Sequence, residues 1–210
     1  MNRRYHHGDL ANALTAAATE LARDGGPEAV VLREAARKVG VSATAAYRHF
    51  AGHGDLIHAV KELAQDRLAE SMRAELAASE PLTDESDEAL RRVRALGLGY
   101  LRFAIAEPGL FRTAFCRADK DYLDRGAEQH MTGIATSPAF QMLGETLDAL
   151  VTAGLLPPER RPFADMHAWS AVHGLAMLLL DGPLNQLPDD DREQVIARVL
   201  DGVIYGLVGR

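Results

Sequence analysis

Along most of the chain the apolar residues recur every three or four positions, the repeat that gathers them on one face of an α-helix. Leu10, Leu14, Ala17, Ala18 and Leu21 form the first stripe, with Asp9 placed to cap the helix and Gly25-Gly26-Pro27 to end it. A second stripe, Leu32, Ala35, Ala36 and Val39, is broken by Gly40, a residue that enters left-handed backbone without steric cost. Ser42 then caps a short third helix that ends at Phe50. Helix, glycine turn and helix make a helix-turn-helix, whose second member enters the DNA major groove. Asp55 caps a longer fourth helix reaching about Ala78, with Leu56, Ala59 or Val60, Leu63, Arg67 or Leu68, and Met72 facing inward.

Beyond the polar stretch 79–87, Leu90, Val93, Gly97, Tyr100, Leu101 and Ala104 predict another long helix, stopped by Pro108-Gly109. A short helix is expected over 110–115, an irregular one over 116–137, and a regular one over 140–153 that Gly154 closes. The last two helices, near 162–180 and 192–208, are the most apolar. The final one carries an apolar pair on every turn (Val195/Ile196, Val199/Leu200, Val203/Ile204, Leu207/Val208), more than one neighbour within the chain needs. Gly202, Gly206 and Gly209 add a smooth edge for another helix, and Asp189, Asp190 and Asp191 suit the positive end of the helix dipole. The expected division is a helix-turn-helix domain over 1–54, a connecting helix over 55–78, and a second helical domain over 79–210.

No run of alternating β-branched residues interrupts this pattern, so the fold class is all-α. The formal net charge of −7 argues against indiscriminate nucleic-acid binding. Its distribution changes the picture. Residues 1–60 hold 7 Lys+Arg against 6 Asp+Glu and five of the eight histidines, while the remainder holds 16 against 24. The acidity belongs to the C-terminal part, which leaves the first sixty residues able to meet phosphates. A single cysteine, Cys116, excludes an intramolecular disulfide and fits a reducing compartment. The first residues lack a signal-peptide core, and the longest apolar stretch, near 171–180, falls short of the roughly 20 residues that span a bilayer. A soluble cytoplasmic protein without a membrane partner is expected.

Enzymatic motifs are missing: there is no Gly-x-Ser-x-Gly, His-Glu-x-x-His or phosphate loop. Gly97-Leu98-Gly99 lacks both the preceding strand and the third glycine of a nucleotide fingerprint. His49, His53 and His58 lie close in sequence, but a glycine-containing loop falls between the first two and no acid or cysteine completes a zinc set. No catalytic residue, metal or cofactor is assigned.

Residues 5–60 resemble the N-terminal domain of tetracycline-repressor-type (TetR family) regulators. The resemblance rests on Tyr5-His6-His7-Gly8-Asp9-Leu10, Leu32-Arg33-Glu34-Ala35-Ala36, Gly40-Val41-Ser42, Ala46-Tyr47-Arg48-His49-Phe50, and Asp55-Leu56 with Ala59-Val60. Further on, Trp169-Ser170-Ala171-Val172-His173-Gly174 is similar to the Trp…His-Gly (WHG) signature of one C-terminal ligand-binding class in that family. The resemblance implies an all-α homodimer that grips a palindromic double-stranded DNA operator and is released by a small molecule. The dimer is expected through the helices near 162–180 and 192–208. By match, Ser42, Ala43, Thr44, Ala45, Tyr47 and His49 face DNA, with Arg33 approaching from the preceding helix. Two positions depart from the family. Val31 stands where Thr or Ser usually caps the second helix, and His53 where a phosphate-binding Lys is common. The arm residues Arg3 and Arg4 are placed to compensate from the minor groove.

The residues themselves sharpen this expectation. Thr44 can bond a base edge or a phosphate, while Ala43 and Ala45 can touch thymine methyls or allow close approach. Tyr47 and His49 suit phosphates, which position without reading sequence; for Tyr47, packing inward is the alternative. His173 lies on an apolar helix one turn from Trp169 and is the candidate polar anchor of a pocket lined by Phe103, Phe111, Phe115, Met131, Phe140, Met142 and Met166. The alternative is a core histidine satisfied by a backbone carbonyl or by Tyr100, with the other side chains plain core. The expected function is a repressor released by an apolar effector. The alternative is a helical small-molecule-binding or protein-interaction module without sequence-specific DNA binding.

Overall fold

A computed structural model of the chain describes residues 7–116 and 136–209. Among the described residues there are nine α-helices and no strand: α1 (His7–Gly25), α2 (Leu32–Val39), α3 (Ala43–Ala46), α4 (His53–Ala77), α5 (Glu85–Ala106), α6 (Pro108–Phe115), α7 (Pro138–Thr152), α8 (Ala164–Leu180) and α9 (Asp189–Val208). The chain divides into two compact units, Met1–Gln65 with Glu107–Thr132, and Asp66–Ala106 with Gly133–Arg210. The boundary after Gln65 falls inside α4, and α6 belongs to the first unit despite its distance in sequence. Arg3, Arg4 and Met131, and most of the segment expected to form an irregular helix, lie outside the described residues.

In the first unit, Leu14, Ala17, Ala18 and Ala22 form the buried face of α1; Leu21, one position earlier, stays half-exposed. Both capping aspartates sit one turn deeper than the spacing suggests. α1 begins at His7, so Asp9 lies within its first turn, where its charge still suits the dipole. α4 begins at His53, and Asp55 reaches back to accept the N–H of Ala51 at 2.9 Å. A Cβ on Gly109 would stand 2.3 and 2.4 Å from the carbonyl oxygens of Ala22 and Arg23, so only glycine lets α6 start against the end of α1. Beside it, the Arg23 guanidinium donates to Glu107 at 2.7 Å. At the other end of α6, Lys61 Nζ donates to the carbonyl of Cys116 at 2.8 Å and Gln65 to that of Ala114 at 3.4 Å, satisfying carbonyls a helix end leaves over.

The second unit is a helical bundle whose core gathers Ala89 and Val93 of α5, Leu147 and Leu150 of α7, Ala164 and Ala168 of α8, and Val203 and Leu207 of α9. Gly97-Leu98-Gly99 finds its explanation in packing. A Cβ on Gly99 would meet the Met72 backbone at 2.6 Å, and one on Gly97 would meet Leu200 at 2.4 Å. The polar stretch after α4 is tied down by Arg91, which donates to Ser79 Oγ at 2.8 Å and to Glu88, while Glu88 also accepts the Leu82 N–H. These bonds to Arg91 and Leu82 hold the Glu88 carboxyl at a pKa of about 2.

The paired apolar positions of α9 separate into two roles. Ile196, Leu200, Val203 and Leu207 are buried within the chain, while Val195, Val199, Ile204 and Val208 are more exposed. The glycine edge is narrower than expected. Gly206 lies against the His167 ring and Gly209 is the left-handed cap of α9; only Gly202 has open space beside it.

Candidate nucleic-acid interface and ligand site

The turn between α2 and α3 is built by backbone bonds that only a left-handed residue permits. Gly40 (φ 78°) ends α2, with its N–H to the carbonyl of Arg37 at 3.2 Å and that of Val41 to Ala36 at 3.0 Å. Val31, the N-cap of α2, makes no side-chain cap bond, as its hydrocarbon requires, and is exposed. Ser42 caps α3: its hydroxyl accepts the N–H of Ala45 at 3.2 Å. α3 closes at Ala46, short of the expected Phe50. The chain goes on in tight turns, with the N–H groups of Arg48 and His49 on the carbonyls of Ala45 and Ala46.

Ala46 and Phe50 are buried and hold this segment to the unit's core. The other side presents Ser42, Thr44, Tyr47 and Arg48 to solvent, with Ala43, Ala45 and His49 at its margins. Tyr47 is 48% exposed, so it does not pack inward. Arg33 on α2 and His53 at the start of α4 are accessible as well. Nearby cations differ in how far they are committed. Arg37 pairs with Glu34 and Lys38 with Glu20, each at 2.9 Å, whereas Arg33 and Arg48 have no ion-pair partner among the described residues.

In the second unit, three of the polar and aromatic candidates meet. The Trp169 indole N–H donates to Tyr100 Oη at 3.2 Å, and that oxygen lies 2.8 Å from His173 Nδ1. The Trp169 and His173 rings are 5.3 Å apart, and Phe140 stands edge-on to Trp169 at 6.4 Å. Burial holds the Tyr100 hydroxyl well above the ordinary phenol range and pushes the imidazole of His173 down. Both are therefore neutral at pH 7. Phe103 is buried on α5 and Met166 half-buried on α8. Phe111 and Phe115 belong to the first unit, where their rings stand 5.1 Å apart. A cleft of about 180 Å³ opens elsewhere in the second unit, between Leu156, Arg160, Phe163, His167, Gly206 and Leu207, and none of the expected ligand residues lines it.

A model of the bacterial regulatory proteins of the tetR family matches residues 14–60, the α1 to α4 region that carries the turn. A model of the tetracyclin repressor-like C-terminal domain matches residues 93–203, more than half of the chain. The chain belongs to the TetR family. It is a DNA-binding transcriptional regulator, not an enzyme. Among solved structures, a protein of unknown function from Rhodococcus sp. RHA1 is similar at 25% identity and a TM-score of 0.75, covering 99% of this chain and all of that one. A tetR-family regulatory protein from Rhodococcus RHA1 shares 20% identity and the fold, with a TM-score of 0.60 over 94% of this chain and 96% of its own. The TetR family regulator PfmR from Thermus thermophilus does so at 20% identity and 0.57, over 92% and 98%. Comparison with functionally curated proteins gives no match.

In this TetR-family chain, the first unit presents Arg48 beside the residues the sequence motif picks out. That arginine sits inside the motif Ala46-Tyr47-Arg48-His49-Phe50, yet its spacing alone does not say which side it faces. Among the described residues, no helix is long and apolar enough to cross a membrane.

Proposed function

We propose that this TetR-family regulator is a cytoplasmic repressor that binds a palindromic operator as a homodimer and is released by a small apolar molecule. The observation that carries the reading is the recognition segment: an apolar inner side, Ala46 and Phe50, under an outer side of small and hydrogen-bonding residues. Thr44 meets a base edge, Ala43 and Ala45 let the backbone approach thymine methyls, and Ser42, Tyr47, His49, His53 and Arg33 hold phosphates. The arm residues Arg3 and Arg4 reach the minor groove. In the dimer, recognition segments stand about 34–36 Å apart or a multiple of it, matching one turn of DNA.

The outward apolar residues of α8 and α9 support the dimer: Met177 and Leu178 on α8 and Tyr205 on α9 are exposed, and Val199 and Ile204 on α9 are partly exposed. Exposed apolar side chains recurring on two neighbouring helices suit an interaction surface. The effector binds in the second unit near Phe140, Trp169 and His173, the WHG-class site, with Phe103 and Met166 extending its apolar wall. It releases the operator by its preference for the dimer arrangement that does not fit DNA.

Selection of bound duplexes from genomic fragments tests the reading. Enrichment of a palindromic sequence, bound by two chains, is expected, and the genes beside it name candidate effectors. Retention of DNA without sequence preference would overturn it.

A further inference from the structure

The recognition segment carries little that can tell one base pair from another. Alanines at 43 and 45 offer only methyl groups, and the Ser42 hydroxyl already accepts the N–H of Ala45. Thr44 and Tyr47 each bring a single hydroxyl, a group that bonds several bases or a phosphate equally well. Arg48 is different. It is exposed, four residues beyond the exposed Thr44, and it is the sole guanidinium between Ser42 and Phe50. Its side chain has no ion-pair or hydrogen-bond partner among the described residues, although Arg37 and Lys38 on α2 are each held by a glutamate. An arginine left unpaired on such a surface is available to a partner outside the chain.

The guanidinium is a rigid planar fork of donors, and guanine presents two acceptors, O6 and N7, side by side in the major groove. No other base offers that edge. The small alanines shorten the distance between backbone and base edges, and the long arginine side chain covers the rest from the C-terminal end of the segment. Phosphates have other donors within the same unit, in Tyr47, His49, His53 and Arg33. Resting on the operator-binding reading, we infer that Arg48 is the specificity-determining residue and reads one guanine in each half-site through a bidentate pair.

The test is selection from a randomised duplex pool with the full-length protein and its Arg48→Ala variant. Wild type is expected to enrich half-sites with guanine at one fixed position, and replacing that guanine should weaken binding on the order of tenfold. Arg48→Ala should enrich the same half-sites with that position open, and should bind the guanine and substituted sites equally. Should Arg48→Ala bind too weakly to select, Arg48→Gln serves, expected to keep the rest of the half-site but lose the guanine preference, since an amide matches the adenine edge instead. An unchanged preference in the variant overturns the inference. In that case a uniform loss with a salt slope smaller by about two, one phosphate contact in each half-site, makes Arg48 a phosphate contact, and no loss places it outside the interface. Failure of wild type itself to enrich any sequence is a different result and counts against operator binding.

Discussion

Tyr47 and His173 show how the surroundings of one side chain set what it can do. Tyr47 is half out of the protein and its side chain has no bonded partner among the described residues, so its removal leaves the packing of Ala46 and Phe50 untouched. Tyr47→Ala should lower the affinity of the dimer for its operator about 25-fold, the worth of one hydrogen bond in each half-site, with an unchanged thermal midpoint; equal affinity by fluorescence anisotropy would remove Tyr47 from the contact list. His173 is in the opposite position, half-buried and bonded to Tyr100. Its pKa lies below the ordinary value because burial penalises the charged ring. The unfolded chain therefore takes up the proton first, and His173 contributes stability above about pH 6.5 that is lost as the pH falls toward its lower folded value. Urea midpoints should drop between pH 7 and pH 5 by more in wild type than in His173→Gln. An equal drop would show that His173 does not titrate differently on folding.

At the scale of elements, local chemistry is readable from the sequence and distant chemistry is not. Gly40 and Ser42 announce the turn because left-handed backbone and an N-terminal cap are demands that few residues meet, and both are met where the sequence places them. The end of α3 and the start of α4 fall a few residues from where the spacing puts them. Turns after Ala46 share much of a helix's hydrogen bonding, and an acidic residue serves as well in the first turn as at the cap. The docking of α6 on α1 has no local signal: Gly109 reads as a helix stop until the carbonyls of Ala22 and Arg23 are found where its Cβ would be. The same holds for Tyr100, which lies 73 residues from His173 and is recognisable in the sequence only as one possible partner. Gly109→Ala tests the α6 contact. Two backbone oxygens cannot yield as a side chain does, so the variant should lose about 1–3 kcal/mol of stability, read from its denaturant midpoint. Gly202→Ala, which meets open space in the middle of α9, should cost the isolated chain nothing and gain it up to about 1 kcal/mol through helix propensity.

The whole molecule must reconcile a surplus of acidic groups with a polyanionic partner. It does so by separation, with a near-balanced first sixty residues and the negative charge carried by the rest. A single near-neutral unit has few phosphate contacts to offer, so useful affinity depends on two units acting together. In the proposed homodimer that makes the outer face of α8 and α9 decisive. The residue to change is one the chain itself does not need. Val203 fails that requirement, since at 5% exposure it belongs to the unit's own core, and Val203→Glu should unfold the chain. Leu178, at 44% exposure, meets it. Leu178→Glu should sediment as a monomer while keeping its helical content, because the buried carboxylate it introduces exists only in the dimer. Operator affinity should fall with it, and what remains should show about half the wild-type slope of log affinity against log salt, since one unit releases about half the counterions. A dimer persisting in Leu178→Glu would move the interface off this face. A monomer retaining the full slope would mean that one chain makes all the phosphate contacts alone.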